Sequence, residues 1–294
     1  MNILITGSSG LLGRELVQQL LVQGHEIYGV DISHAVVYDN HYHHSSIIDE
    51  SISYDEVYCL TGFPCPATYL QIPATTMFIS QQSFQSALLC AVHNKATFVV
   101  TSSSEVYEDK QTEDIMREDD IGTIDLLHPR ACYKELKRYM EVCTYSAMRE
   151  WDLNARIVRV FNSYGPSHLN DTRIINQLLK SVKYNKPFII YGDGNQKRSY
   201  CYVEDTVKGI LAVARSTITT PVNIGNPNEV YSIYEVLHMV EKVSGSKIIY
   251  QHEDIPSYVG PVYRKPDISK ALLLGWKPLI TLEEGLTKLL SLKN

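Results

Sequence analysis

The chain opens on an uninterrupted apolar run, Ile3-Leu4-Ile5. A run this short reads as a strand buried on both faces. Over 11–23, Leu12, Leu16 and Leu20 recur at a four-residue step, which puts them on one helical face, and Gly24 supplies the stop. Further strands are predicted at 27–30, 56–60, 98–100 and 155–160, and helices at 75–92 and 133–149. Alternating strands and helices imply right-handed crossovers and an α/β fold with a doubly wound parallel sheet. After about residue 165 the pattern loosens. Strands shorten, and "YGDGN" and "NIGNPNE" mark turns, as expected of a smaller α+β unit interleaved with the first. The expected division is 1–165 with about 203–226, against 166–202 and 227–294.

Composition narrows the class of protein. Of 294 residues, 44% are apolar, enough for a substantial core. The net charge of −6 carries no basic stripe, which argues against nucleic acid as a partner. No leader with a charged and an apolar region is visible, and no apolar run reaches the length of a membrane span. Six scattered cysteines without a Cys-x-x-Cys read as reduced thiols, so the expected setting is cytoplasmic. The stretch "HYHH" at 41–44 matches no metal-ligand spacing and reads as a surface loop, so no metal is expected.

Candidate chemistry begins with "ITGSSGLLG", which sets Gly7, Gly10 and Gly13 between the first strand and the first helix. Glycines there permit a tight turn and close approach of a pyrophosphate to a helix N-terminus. Asp31 follows the second strand, where a carboxylate would hold the ribose hydroxyls and repel a 2′-phosphate. The expected cofactor is therefore NAD, on a Rossmann-like unit. Further along, "YKELK" places Tyr133 and Lys137 four apart on one helix face. A tyrosine is a poor base at neutral pH, and a neighbouring lysine cation favours its phenolate. "TSSSEVYE" at 101–108 packs three serine hydroxyls and a carboxylate behind a predicted strand, more than a plain turn requires.

With these motifs the chain resembles the extended short-chain dehydrogenase/reductase family of nucleotide-sugar enzymes, nearly end to end. Within that family it looks most like the UDP-glucuronate decarboxylase branch. The likeness is carried by "SSSEVY", "HPRACYKELKR", "RIVRVFNSYGP", "YGDGNQKRSYCYVED", "VNIGNPNE" and "YRKPDISKALLLGWKP". Departures are Ser103 for the usual Thr, Leu136 and Glu108 for Gly, Ser80 and Ser86 for Asn, and Cys59-Leu60-Thr61 for His-Leu-Ala.

The resemblance implies roles. Leu11, Leu12 and Leu60 join Gly7, Gly10, Asp31, Tyr133 and Lys137 around NAD. Ser103 holds the sugar C4 oxygen beside Tyr133, with Ser104 and Glu105 facing C5 and C6. Oxidation at C4 turns a uronic acid into a β-keto acid, which loses carbon dioxide before C4 is reduced again. Arg264 would grip the departing carboxylate, and Glu105 would disfavour its ionised ground state or order a water. Asn162, Arg173, Tyr191 and Arg198 would enclose the UDP-sugar, with Tyr69 shaping the sugar pocket. A 4,6-dehydratase would carry Asp in place of Ser104, and a 4-epimerase would usually lack Glu105. A 4-epimerase, a decarboxylase for an N-acetylated uronate, and an idle NAD-binding regulator remain as alternatives. Apolar residues on more than one face of the helices at 75–92 and 133–149 fit a homodimer contact or deep burial.

Overall fold

Ile3, Leu4 and Ile5 are each fully buried, because the strand that contains them has helices on both sides. The computed structural model describes residues 1–33, 38, 40–107, 114–166, 172–254 and 263–292. In chain order its first part comprises β1 (Asn2–Thr6), α1 (Leu11–Val22), β2 (Glu26–Val30), β3 (Tyr42–Ser45) and β4 (Glu56–Cys59). There follow α2 (Pro66–Gln71), α3 (Pro73–Asn94), β5 (Thr97–Ser103), a single 3₁₀ turn at Ser104–Val106, α4 (Ala131–Glu150) and β6 (Ala155–Val160). Seven parallel strands form the main sheet; the order is β11-β6-β5-β4-β1-β2-β3, where β11 is Val222–Ile224.

Successive residues of each strand serve opposite layers. Ile3, Ile5 and Val99 pack with Leu16, Val17 and Leu20 of α1. Leu4, Phe98 and Val100 pack with Phe84 and Leu88 of α3 and with Leu136 and Met140 of α4. The bulk of Leu136 is thus absorbed by the core, where it is 2% exposed. Gly24 takes φ +78° just past α1, the left-handed conformation that the helix stop requires. Strand order reverses between β1 and β4, so a crevice opens at the carboxyl ends of those strands.

The second part is built of short pieces. These are β7 (Ser163–Tyr164), α5 (Ile174–Tyr184), β8 (Phe188–Tyr191), β9 (Lys197–Ser199), β10 (Cys201–Tyr202) and α6 (Val203–Ala214) before β11. After β11 come β12 (Val230–Tyr231), α7 (Ile233–Ser244), β13 (Tyr250–Glu253), β14 (Tyr263–Arg264), α8 (Ser269–Leu273) and α9 (Leu282–Ser291). Side-chain capping boxes start α7 and α9: Ser232 with Glu235, and Thr281 with Glu284. Parallel pairing of β14 with β9 sets Arg264 beside Arg198. Among the described residues no helix is long and apolar enough to cross a membrane.

The stretch 41–44 corrects the sequence reading. It is not a loop, since Tyr42–Ser45 form the edge strand β3 paired with β2. His41 and His43 face the Glu26 carboxylate, and the His43 ring stacks on Tyr28 at 4.9 Å. Polar cross-strand partners hold this edge, and they leave no apolar run to read. Among the described residues no group of three or more His, Cys, Asp or Glu could hold a metal. Glu108 lies outside the described residues.

Candidate active site

The crevice is a cavity of about 2570 Å³ that joins the glycine loop, the end of β5, the start of α4 and the elements that follow β6. At its first end, Gly7 takes φ +79° and Gly13 packs onto the loop. A Cβ on Gly13 would lie 2.2 Å from the Gly7 carbonyl oxygen and 2.7 Å from Ser8 Cα, both backbone, so no larger residue fits. Helix α1 begins at Gly10 without a side-chain cap, which leaves its first N–H groups and dipole directed at the cavity. Asp31 closes this end. Its carboxylate accepts the backbone N–H of Ser9 (3.0 Å) and of Ser33 (2.9 Å). Gly7, Gly10, Leu11, Leu12 and Leu60 line the same region. Ser102 Oγ, buried on β5 without a hydrogen-bond partner, also faces the cavity. A glycine cradle, an open helix start, an oriented carboxylate and an unsatisfied hydroxyl together fit a dinucleotide.

Beyond the loop, β5 runs further than its apolar residues. Thr101, Ser102 and Ser103 continue the strand in register with β6, and the chain turns only at Ser104. Ser103 Oγ accepts the Glu105 N–H at 3.2 Å and fixes the turn. Tyr133 meets these hydroxyls from α4 and hydrogen-bonds Ser103. Its ring stacks on Tyr69 of α2 at 5.1 Å and 8°. Lys137, one turn on, donates to the Thr101 carbonyl at 2.9 Å and lies 5.9 Å from the Tyr133 ring centre.

Burial decides the charges here. It pushes Lys137 down to about 8, against the pull of Cys59 and Glu141. It pushes Tyr133 up to about 12, against the Ser103 hydrogen bond and with a further push from the Glu105 charge. A phenolate is therefore not the resting state: desolvation outweighs the Ser103 hydrogen bond and the attraction of Arg173 and Arg130.

Next along the cavity stands Glu105. Its Oε1 is 2.7 Å from Arg130 Nη2, and its Oε2 is 3.6 Å from Arg264 Nη2. Burial opposes its ionisation, but Arg130 and Arg264, with Lys134 and Arg198 behind them, hold it down at about 2. Glu105 is a carboxylate at any working pH, so it does not act as an acid. Arg264 differs from its expected place. Its side chain is 1% exposed and does not line the cavity. It also donates to the Ser104 carbonyl and lies on the protein side of Glu105. Arg130, whose importance the sequence did not disclose, lines the cavity instead.

At the far end, Arg173, the residue that starts α5, donates to the Ser163 carbonyl at 3.1 Å and lines the cavity. Arg198 reaches the wall from β9, its pKa lowered to about 10 by burial and by Arg264. Asn162, after β6, and Tyr191, at the end of β8 and 39% exposed, complete this wall. Ser104 and Tyr69 line the middle. All the candidate residues except Arg264 therefore border one cavity.

The fold and site define an NAD-dependent enzyme class. The NAD dependent epimerase/dehydratase family matches residues 3–225, and the chain belongs to it. Among curated proteins, it is 34% identical over 302 residues to UDP-glucuronic acid decarboxylase 1 of Xenopus tropicalis, covering 98% of this chain and 70% of that protein. UDP-glucuronic acid decarboxylase 1 of Arabidopsis thaliana is 32% identical, with 99% and 69% covered. Among solved structures, UDP-glucuronic acid 4-epimerase from Bacillus cereus in complex with NAD superposes at a TM-score of 0.82 with 27% identity, covering 98% of this chain and 95% of that one.

Proposed function

We propose that the protein decarboxylates a UDP-uronic acid, converting UDP-glucuronate to UDP-xylose through a 4-keto intermediate. The observation that carries this reading is Glu105, ionised between two arginines, which stands two residues past Ser103, the partner of Tyr133, and lines the same cavity. A uronate needs that juxtaposition, because its carboxylate carbon is two bonds from C4. The curated decarboxylases, similar over almost the whole chain, support the same reading.

Bound NAD supplies the hydride acceptor at C4 and returns the hydride at the end, so it is not consumed. Gly7, Gly10, Leu11, Leu12, Asp31 and Leu60 would hold it, together with Tyr133 and Lys137. Ser103 would donate to the C4 oxygen and fix its direction. Tyr133 would take the C4 hydroxyl proton, in a pocket whose phenolate is reached only when positive charge is added to offset burial. The C4 ketone would then accept the electrons left on C5 as carbon dioxide departs, and the Ser103 and Tyr133 hydroxyls would stabilise the developing enolate oxygen. Glu105 cannot protonate C5 itself, being ionised, so its work is to hold its arginines and order a water near C5. Arg173 and Arg198 would meet the diphosphate, with Asn162 and Tyr191 beside them.

A second reading, 4-epimerisation of a UDP-uronate, is favoured by the match to the Bacillus cereus epimerase. Ser104, which has no acid to offer, argues against a dehydratase. We further propose a homodimer through α3 and α4, whose outer faces leave Phe78 71%, Leu89 56% and Val142 63% exposed. Its six free cysteines support a cytoplasmic setting. The deciding experiment incubates purified protein with UDP-glucuronate and with its 2-acetamido analogue and follows mass. Loss of the carboxyl group from UDP-glucuronate supports the proposal; a 4-epimer of unchanged mass overturns it in favour of the second reading.

A further inference from the structure

We infer that Tyr107 is a positioning residue, whose buried hydroxyl sets the Glu105 turn against the helix of Tyr133 and so governs carboxyl loss without governing oxidation at C4. This inference rests on the uronate reading above.

Tyr107 stands two residues past Glu105, at the end of the 3₁₀ turn Ser104–Val106. It is 1% exposed and does not line the cavity. Packing asks only for its ring, which lies with Val106, Met116 and Phe161 in a small cluster of its own. The hydroxyl is a separate feature. It donates to Asn223 Oδ1 at 2.6 Å and accepts from Arg159 Nη1 at 2.9 Å. Burial pushes its pKa up to about 12, so it keeps the proton that the first of these bonds needs. A phenylalanine would fill the same space and take the hydroxyl from both partners.

Those partners belong to the framework that carries the chemistry. Arg159, on β6, grips both oxygens of Glu141, at 2.9 and 2.8 Å, and the two side chains are only 12% and 9% exposed. Glu141 is one turn past Lys137, on the helix that presents Tyr133. Asn223, on β11, is fully buried, and its amide donates to the carbonyls of Met116 and Asp267, each at 3.1 Å. Met116 in turn donates its N–H to the Lys265 carbonyl at 2.9 Å, next to Arg264. Arg264 donates to the Ser104 carbonyl and lies 3.6 Å from Glu105 Oε2. From α4, Arg138 donates through Nε (3.1 Å) and Nη2 (2.7 Å) to the Val106 carbonyl. These bonds fix the backbone at 104 and 106; the hydroxyl fixes residue 107, and the direction in which Glu105 leaves the turn follows from all three.

Oxidation at C4 has other supports. Ser103 lies on β5 in register with β6, and Lys137 donates to the Thr101 carbonyl. Leu136 and Met140 seat α4 in the core. None of these contacts passes through the Tyr107 hydroxyl, so its removal separates the two halves of the reaction.

The test is a single turnover of the NAD-loaded protein on UDP-glucuronate, with reduced nicotinamide followed by absorbance and carbon dioxide by quenching. In Tyr107→Phe, reduced nicotinamide is expected to form within about threefold of the unmodified rate, while carbon dioxide release slows about 10- to 100-fold, so reduced cofactor accumulates. Tyr58→Phe is the control. Tyr58 is equally buried, donates to Glu56 at 2.8 Å and packs in a different cluster, so losing its hydroxyl is expected to lower stability without accumulation of reduced cofactor. Equal slowing of both steps in Tyr107→Phe, no slowing of either, or the same accumulation in Tyr58→Phe overturns the inference. If Tyr107→Phe fails to fold, Asn223→Ser decides: it keeps the tyrosine and removes its acceptor, and accumulation is expected, its absence contradictory. An unmodified protein that releases no carbon dioxide would sink the uronate reading itself. Release by the unmodified protein, with both steps slowed alike in Tyr107→Phe, would sink only the positioning role.

Discussion

Replacing Glu105 by Gln removes the one negative charge among four cations, and the structure sets the size of the effect. Folding lowers the Glu105 pKa from 4.5 to about 2, so ionised Glu105 stabilises the folded protein by about 3 kcal/mol at pH 7. The side chain is only 17% exposed, and solvent screening takes little from that figure. Because the folded pKa is the lower one, the contribution is complete above about pH 5 and disappears as pH falls toward 2. At pH 3 about 1.5 kcal/mol remains. Spread over the unfolding entropy of a chain this long, the pH 7 loss corresponds to a melting temperature lower by about 5 °C. The assay is urea unfolding of both proteins from pH 7 down to pH 3, with carbon dioxide release and NAD binding measured at pH 7. The gap in stability is expected to shrink by about half over that range, while NAD binding persists and carboxyl loss collapses. A gap that is constant or widens toward acid would refute the charge arrangement deduced for Glu105. Full decarboxylation by the variant would refute its place in the site.

Other perturbations probe the remaining parts. Tyr133→Phe is expected to keep the stack on Tyr69 and the fold, while turnover falls about a hundred- to ten-thousand-fold; steady-state kinetics beside a melting curve checks this. Lys137→Met is expected to stabilise the protein by up to about 3 kcal/mol at pH 7, since burial lowers the lysine from 10.5 to about 8. That advantage should fade as pH rises from 8 to 10.5, where the wild-type lysine folds uncharged, and activity should be lost throughout; unfolding and rate measurements across this range test both. Gly13→Ala drives a Cβ to 2.2 Å from the Gly7 carbonyl oxygen and is expected to weaken NAD more than about tenfold, read by cofactor titration. Phe78→Glu places a charge on the outer face of α3 and is expected to yield monomers in light scattering without loss of helicity by circular dichroism.

What the sequence disclosed was what spacing along one element determines. The glycine loop is legible because strand, turn and helix follow within thirteen residues, and Tyr133 with Lys137 because both sit on one helix face. The end of β5 was not, since Thr101, Ser102 and Ser103 are polar and a strand there depends on pairing with β6. Edge strand β3 escaped for a similar reason, being held by Glu26 and Tyr28 across the sheet. The strands after residue 165 are two to four residues long, below the length at which alternation can be recognised. Arg264 was placed near Glu105 by resemblance, yet no pattern in the chain says on which side of the carboxylate it lies. That side is set by β14 against β9 and by the bonds of Met116. Arg130 was overlooked because it stands before a helix where an arginine often serves only as a surface charge.

The central claim is that a ketone forms at C4 beside a carboxylate that then departs, leaving C5 to be protonated. The most direct measurement is the reaction with UDP-glucuronate in deuterium oxide, followed by mass and NMR spectroscopy of the sugar nucleotide. The account predicts UDP-xylose carrying a single deuterium at C5, with one carbon dioxide released per molecule. A product that keeps its carboxylate and carries no deuterium at C5 would contradict it.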